Sequence, residues 1–102
     1  MTERELQEAI RALCRDLRLV AQHYEDSRRC WVTGWPDLEI IGTRTLYREL
    51  KSARGDLTPE QRQVGYQVQA AGGDWAVWRP ADLLSGRITR ELTAISRLGA
   101  KT

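Results

Sequence analysis

Three charged residues stand at the ends of two apolar segments. Asp37 follows Pro36, and Glu49 and Lys51 flank Leu50. Side chains alternate along a strand, so Glu49 and Lys51 would share one face. Two close, partly buried carboxylates repel unless a proton or a cation lies between them, and hard oxygen ligands select Mg²⁺ or Mn²⁺. Asp37, Glu49 and the Leu50 carbonyl would hold such an ion, with Lys51 facing a phosphate, as phosphodiester hydrolysis requires.

The same residues also have a plainer interpretation. A surface hairpin with a Glu-Lys pair and an Asp in a turn would have the same sequence pattern. A Glu-x-Lys triplet is also common in charged proteins. Spacing alone favours this interpretation. The Gly34 and Pro36 that precede Asp37, and the apolar segments on both sides, weigh towards the metal site.

The elements that would position these residues follow from the apolar pattern. Helical spacing runs from residue 3 to about 22, and Thr2 with Glu5 forms a predicted capping box. Residues 31–32, 38–41 and 45–52 are predicted strands, the last two forming a hairpin. Thr58, Pro59, Glu60 and Gln61 open a helix that runs to about residue 71. A strand at 75–78, a helical turn at 81–84 and a helix at 87–98 follow.

This order predicts the α/β class, with a mixed β-sheet of about four strands flanked by helices (α-β-β-β-α-β-α). The passage from 45 to 78 is expected to be a right-handed crossover between parallel strands. The hairpin would bring Asp37 and Glu49 to one end of the sheet. We predict a single domain over 1–102, with the motifs in about 30–84 and a C-terminal helix in 85–102 that is available for a dimer contact.

Composition restricts the class of partner only weakly. The 16 basic and 14 acidic residues leave a net charge of +2, and of the basic residues only Lys51 and Lys101 are lysines. Arginine suits phosphate recognition, although arginine richness also follows biased codon usage. No apolar stretch approaches the roughly 18 residues of a membrane span, and no signal peptide begins the chain. Cys14 and Cys30 show no disulfide or zinc pattern. We therefore expect a cytoplasmic protein without a membrane partner.

Three motifs together resemble a known family. Gly34-Trp35-Pro36-Asp37, then Glu49-Leu50-Lys51, then Leu57-Thr58-Pro59-Glu60-Gln61 are similar to the motifs of the PD-(D/E)xK nuclease superfamily. More narrowly, they resemble the stand-alone virus-type replication-repair nuclease (VRR-NUC) domain, over about 33–83. The resemblance implies a restriction-endonuclease-like core, in which Asp37, Glu49 and the Leu50 carbonyl hold Mg²⁺ or Mn²⁺ and Lys51 is catalytic. Trp35 departs from the small or aliphatic residue that is usual there, and would either stack on a base or pack.

Several further residues are candidates for the site. The family often contributes an acid from the first helix, and Glu3 lies nearest the apolar stripe; a favourable interaction with the helix dipole explains Glu3 equally well. Gln61 would close a capping box, and the family has a Gln near the active site, so we include it among the catalytic residues. His23 would end the first helix, and Trp31, Trp75 and Trp78 would lie in the strand core. Candidate phosphate contacts are Arg28, Arg29, Arg44, Arg54 and Arg62.

The resemblance also implies a function. We expect a metal-dependent, structure-selective DNA endonuclease that is similar to Holliday junction resolvases, acts on branched or four-way DNA as a homodimer, and fits a phage or prophage origin. Two alternatives remain: a nicking or restriction-like nuclease that acts on ordinary duplex DNA, and a non-catalytic DNA-binding module with the same fold.

Overall fold

The computed structural model describes residues 1–26 and 29–98. This part of the chain forms four helices and four strands. They are α1 (Glu3–Asp16), β1 (Val20–His23), β2 (Leu38–Ile41), β3 (Thr45–Leu50), α2 (Pro59–Ala70), β4 (Asp74–Trp78), α3 (Pro80–Leu84) and α4 (Arg87–Ile95).

The strands form one mixed sheet in the order β1-β2-β3-β4. The β1–β2 and β2–β3 pairs are antiparallel, and β3 pairs parallel with β4 across the connection that contains α2. The protein is therefore an α/β domain with a four-stranded mixed sheet flanked by helices, as the sequence predicts. The hairpin of β2 and β3 and the crossover to β4 are both confirmed.

The main core lies on one face of the sheet. Leu46 and Leu50 of β3 point to this face, where α1 and α4 contribute buried aliphatic residues. Those residues are Leu6, Ile10, Ile88, Leu92 and Ile95. The other face is covered by α2 near β4, where a Cβ on Gly65 would lie 2.7 Å from the Trp75 ring. The absence of a side chain at Gly65 therefore allows α2 to approach the sheet closely.

The predicted first helix is too long. It ends at Asp16, and Arg18 then takes a positive φ of 55°. The chain reverses there and forms β1, so Val20 and His23 belong to a strand that pairs with β2. Val20 continues the helical spacing of Leu13 and Leu17, which explains the error, because periodicity does not register a reversal at a polar residue.

The predicted strand at residues 31–32 is also wrong. Trp31 is fully exposed, Val32 is exposed, and neither residue lies in a strand. The assignment of Trp31 to the strand core fails with it. The assignments of Trp75 and Trp78 to β4 are confirmed, and Trp78 is fully buried.

The later helices agree with their sequence signals. Thr58 caps α2 through its hydroxyl, and Gln61 completes the capping box. The C-terminal helix ends at Ile95 rather than residue 98, and its apolar residues Ile88, Leu92 and Ile95 lie in the protein's own core. Its apolar stripe is thus occupied within one chain. None of the helices in the described part of the chain is long and apolar enough to cross a membrane.

Candidate metal centre

The β2–β3 hairpin brings the two predicted carboxylates to one end of the sheet. Leu38 pairs with Arg48, so Asp37 and Glu49 are the next residues along this register, on the face opposite Leu38. The Leu50 amide donates a 2.7 Å hydrogen bond to Asp37 Oδ2. Because the N–H and C=O of one strand residue point to the same side, the Leu50 carbonyl also lies on the Asp37 side of β3.

Glu49 is buried, with 2% of its surface exposed. Gln61 of α2 donates a 2.9 Å hydrogen bond to Glu49 Oε1. Glu49 Oε2 is also buried but receives no hydrogen bond from the described residues. A buried carboxylate oxygen without a donor is costly, so this atom marks a place where a proton or a cation would be stabilised.

The electrostatics of Glu49 point the same way. Burial and the neighbouring Asp37 carboxylate raise the pKa of Glu49 to about 9. Glu3 adds to this rise in pKa, whereas Lys51 opposes it. Asp37, Glu49, Lys51 and Glu3 therefore interact electrostatically at one place, and a positive ion there would oppose the rise in the pKa of Glu49.

At Gly34 the loop before Asp37 packs closely against the start of α2. This glycine has a φ of +90°, and a Cβ at this position would lie 2.5 Å from the Glu60 carbonyl carbon and 2.7 Å from the Gln61 nitrogen. Only glycine meets both conditions without strain. The close approach holds the helix turn that carries Gln61 against the loop that carries Asp37.

The segment after β3 is fixed by contacts with β4 and with Arg79. The Lys51 amide donates to the Trp78 carbonyl at 3.1 Å. Arg79 donates to the carbonyls of Ser52 and Gly55 at 2.8 and 2.7 Å. These hydrogen bonds fix the backbone of Lys51 and of the turn that follows it.

The donor set fits a hard divalent cation. Two carboxylates and a backbone carbonyl are oxygen ligands, and Mg²⁺ is commonly held by one or two carboxylates together with water and substrate phosphates. Within residues 1–26 and 29–98, no group of three His, Cys, Asp or Glu side chains is arranged to hold a metal. A site here would therefore rest on Asp37, Glu49 and the Leu50 carbonyl. Glu3, which is exposed, would stand at its edge.

Those of the predicted arginines that the structure describes lie on several different elements. Arg54 and Arg62 are exposed, in the loop after β3 and in α2, and Arg44 pairs with Asp74 at 3.3 Å. Arg29 lines a separate cavity beside β1. Arg28 lies outside the described residues. For each of the described arginines, the role of phosphate contact stays a prediction.

Two residues near the site were not predicted from the sequence. The Tyr24 amide donates to the Asp37 carbonyl at 2.8 Å, and Arg79 anchors the turn after Lys51. No sequence signal identifies either role, because each depends on a contact between distant segments. Trp35, which we expected to pack or to stack on a base, is half-buried and donates to Glu39 Oε1 at 2.8 Å.

Comparison with protein-family models, with curated proteins and with solved structures finds no match.

Proposed function

We propose that this protein is a metal-dependent DNA endonuclease that hydrolyses phosphodiester bonds in branched DNA. The observation that carries the proposal is the buried Glu49, whose Oε2 lacks a donor and whose neighbour is a second carboxylate. The motifs around Asp37, Glu49 and Lys51, together with their resemblance to the PD-(D/E)xK nucleases, supply the reaction class.

Each residue has a distinct part in this proposal. Mg²⁺ or Mn²⁺, when bound, would supply Lewis acidity towards the phosphate and lower the pKa of the attacking water. Asp37, Glu49 and the Leu50 carbonyl would hold the ion. Gln61 orients the Glu49 carboxylate through its hydrogen bond, and Lys51 offsets negative charge that develops on the phosphate.

Branched DNA is the proposed substrate class, and a homodimer is the proposed assembly. Symmetric cutting of a four-way junction needs two sites, and one chain of this size supplies one. Since the apolar side of α4 is occupied within the chain, a dimer through this helix would use its polar side. Sedimentation at several protein concentrations measures the assembly. We expect a dimer at the concentrations where two opposing strands of one junction are both cut.

A substrate panel tests the reaction and its selectivity. We expect the full chain to cut four-way junction or flap DNA in Mg²⁺ or Mn²⁺ faster than linear duplex of the same length, with no cutting in EDTA. Equal cutting of the linear duplex would favour the restriction-like alternative. Binding without cutting of any substrate would favour the non-catalytic module and would refute the nuclease.

Substitutions test the site assignment. We expect Asp37→Asn and Lys51→Ala each to lower the cutting rate by at least about 10²-fold, as for loss of one electrostatic contact in a transition state. Asn keeps an oxygen acceptor for the Leu50 amide, so the fold should persist. Asp16→Asn, on an exposed residue at the end of α1, is the matched control. Wild-type cutting by either site variant would show that the assignment is wrong.

A further inference from the structure

An aromatic cleft lies along the segment that leads from β1 to Asp37, and it has no part in the chemistry described so far. It has a volume of about 230 Å³ and is lined by Tyr24, Cys30, Trp31, Val32 and Trp35. Trp31 is fully exposed, at 105% of its reference area. Tryptophan is usually buried for most of its surface, so a ring left completely in water calls for an explanation.

Two contacts connect the residues of the cleft to the hairpin that carries the proposed metal centre. The Tyr24 amide donates to the Asp37 carbonyl at 2.8 Å, and Trp35 precedes Asp37 by two residues. Trp35 is fixed by its 2.8 Å bond to Glu39. Glu39 pairs with Tyr47 and therefore lies on the same face of the sheet as Glu49. The ring of Trp35 is therefore held on the face of the sheet that carries the proposed metal centre.

The chemistry of the cleft favours a base over a phosphate. Its lining is aromatic and aliphatic, apart from the Cys30 thiol. The adjoining cavity of about 690 Å³ carries Arg29 but also Glu25 and Asp26, so this side is not uniformly basic. Flat aromatic rings bind any base through its face, whatever the sequence.

We propose that Trp31 and Trp35 stack against an unpaired nucleobase next to the phosphodiester that is cut. A paired base in continuous duplex is already stacked and cannot enter the cleft, whereas a base at a flap, junction or single-stranded branch can. The aromatic cleft is therefore a specificity determinant for DNA with unpaired nucleotides. This inference rests on the proposed nuclease function, and it names the feature of the substrate that is recognised.

Binding in EDTA tests the inference without cleavage. The probes are a fluorescein-labelled duplex with a short single-stranded branch and a fully paired duplex of the same length, with anisotropy as the signal. We expect wild type to bind the branched probe more tightly. Trp31→Ala should weaken binding to the branched probe about tenfold and bring the ratio of the two affinities towards one. Trp31→Phe, which keeps a ring, should retain most of the preference.

Leu84→Ala is the matched control. Leu84 is a large apolar residue of α3 that is 79% exposed, so its truncation removes comparable exposed surface away from the cleft. It should leave both affinities unchanged. If Trp31→Ala leaves the ratio of the two affinities unchanged, the inference is overturned. It is also overturned if Trp31→Ala changes only the self-association of the protein, because Trp31 would then belong to a protein contact.

Thiol reactivity gives a second measurement on the unmodified chain. Cys14 is buried and its burial raises the pKa of its thiol to about 11, so iodoacetamide should react first with the half-buried Cys30. The branched probe should slow this reaction and the paired duplex should not. Equal protection by both probes would contradict a base-specific cleft.

The two proposals fail in different ways. If wild type neither binds nor cuts any DNA in Mg²⁺ or Mn²⁺, the nuclease function fails and the cleft proposal fails with it. If wild type cuts branched DNA but Trp31→Ala cuts and binds it with the same preference, only the role of the cleft is wrong.

Discussion

Glu49 is held where its ionised form is unfavourable in the absence of a cation. Its side chain is buried, it accepts one bond from Gln61, and its second oxygen has no donor among the described residues. A residue placed only for stability would be better replaced by an apolar one of similar volume. The arrangement is understandable if a cation completes it.

The pKa of Glu49 predicts how the metal-free protein responds to pH. The pKa is raised from 4.5 to about 9 on folding, so the folded state binds a proton more tightly than the unfolded state. The stability that this proton provides is present below about pH 4.5 and is lost as pH rises towards 9. Glu49 therefore contributes a fall of up to about 1.4 kcal/mol per pH unit within this window.

Urea unfolding in EDTA at pH 6 and pH 8 measures this effect. Wild type should lose stability relative to Glu49→Gln as pH rises, and Mg²⁺ should restore more stability to wild type at pH 8 than at pH 6, because the ion competes with the proton. The control Glu8→Gln, on an exposed face of α1, should follow wild type. A constant difference between Glu49→Gln and wild type across pH would contradict the raised pKa.

At the scale of elements, the site is made by one hairpin and the first turn of α2. The hairpin sets the register of Asp37 against Glu49, and the capping box at Thr58 fixes where Gln61 lies. Gly34 lets the two parts pack closely, because the backbone of α2 at Glu60 and Gln61 occupies the space that a side chain at Gly34 would need. Local sequence therefore determines each part, and a tertiary contact at one glycine allows them to approach each other.

Two glycine variants separate this contact from backbone strain. Gly34 and Gly72 both have φ near +90°, but a Cβ on Gly72 meets nothing within 4 Å. We expect Gly72→Ala to cost about 1 kcal/mol from its φ alone. Gly34→Ala should cost at least about twice that and also reduce DNA cutting, since Gln61 must move. Thermal unfolding gives the stability difference, and equal costs with wild-type cutting by both variants would show that the contact is unimportant.

At the scale of the whole molecule, both ends of the chain support the back of the sheet. α1 and α4 bury their apolar residues together, and the Ser96 hydroxyl donates to the Leu17 carbonyl at 3.0 Å. Arg48 of β3, also buried, pairs with Glu91 of α4 at 2.9 Å and lies over the Trp78 ring. The strand that carries Glu49 is thus anchored to α4 from behind.

Truncation of a core residue in α4 tests this support. Leu92 is fully buried, so Leu92→Ala should lower the free energy of unfolding by about 2–5 kcal/mol. Leu84→Ala, on an exposed leucine, should change it by less than about 0.5 kcal/mol. Urea unfolding compares the two, and similar values would mean that α4 does not close the core.

The sequence predicts most of this architecture where local signals are strong. The hairpin follows from apolar alternation around Gly42, and the start of α2 follows from its cap, and the structure agrees with both. The prediction from the sequence fails at β1, a four-residue edge strand with mostly exposed side chains, because such a strand has no apolar alternation. It also fails at Trp31, since hydrophobicity alone does not indicate that a residue is exposed.

The site shows the same division. Asp37, Glu49 and Gln61 are predicted together because they follow motifs of fixed spacing. In the structure Gln61 donates a hydrogen bond to Glu49, and the nearby Asp37 raises the pKa of Glu49. Tyr24 and Arg79 are not predicted, because their contacts with the site depend on tertiary packing. The metal and the reaction stay predictions that the experiments above test.

The position of α4 also bears on when the protein can work during its synthesis. Residues 37–61 leave the ribosome well before Ile88, Leu92 and Ile95, which cover the back of β3. An uncovered hairpin is only marginally stable in water, and domains generally fold as units. The nascent chain therefore carries all the proposed ligands without a folded site. The proposed nuclease activity would therefore arise only after translation has passed α4.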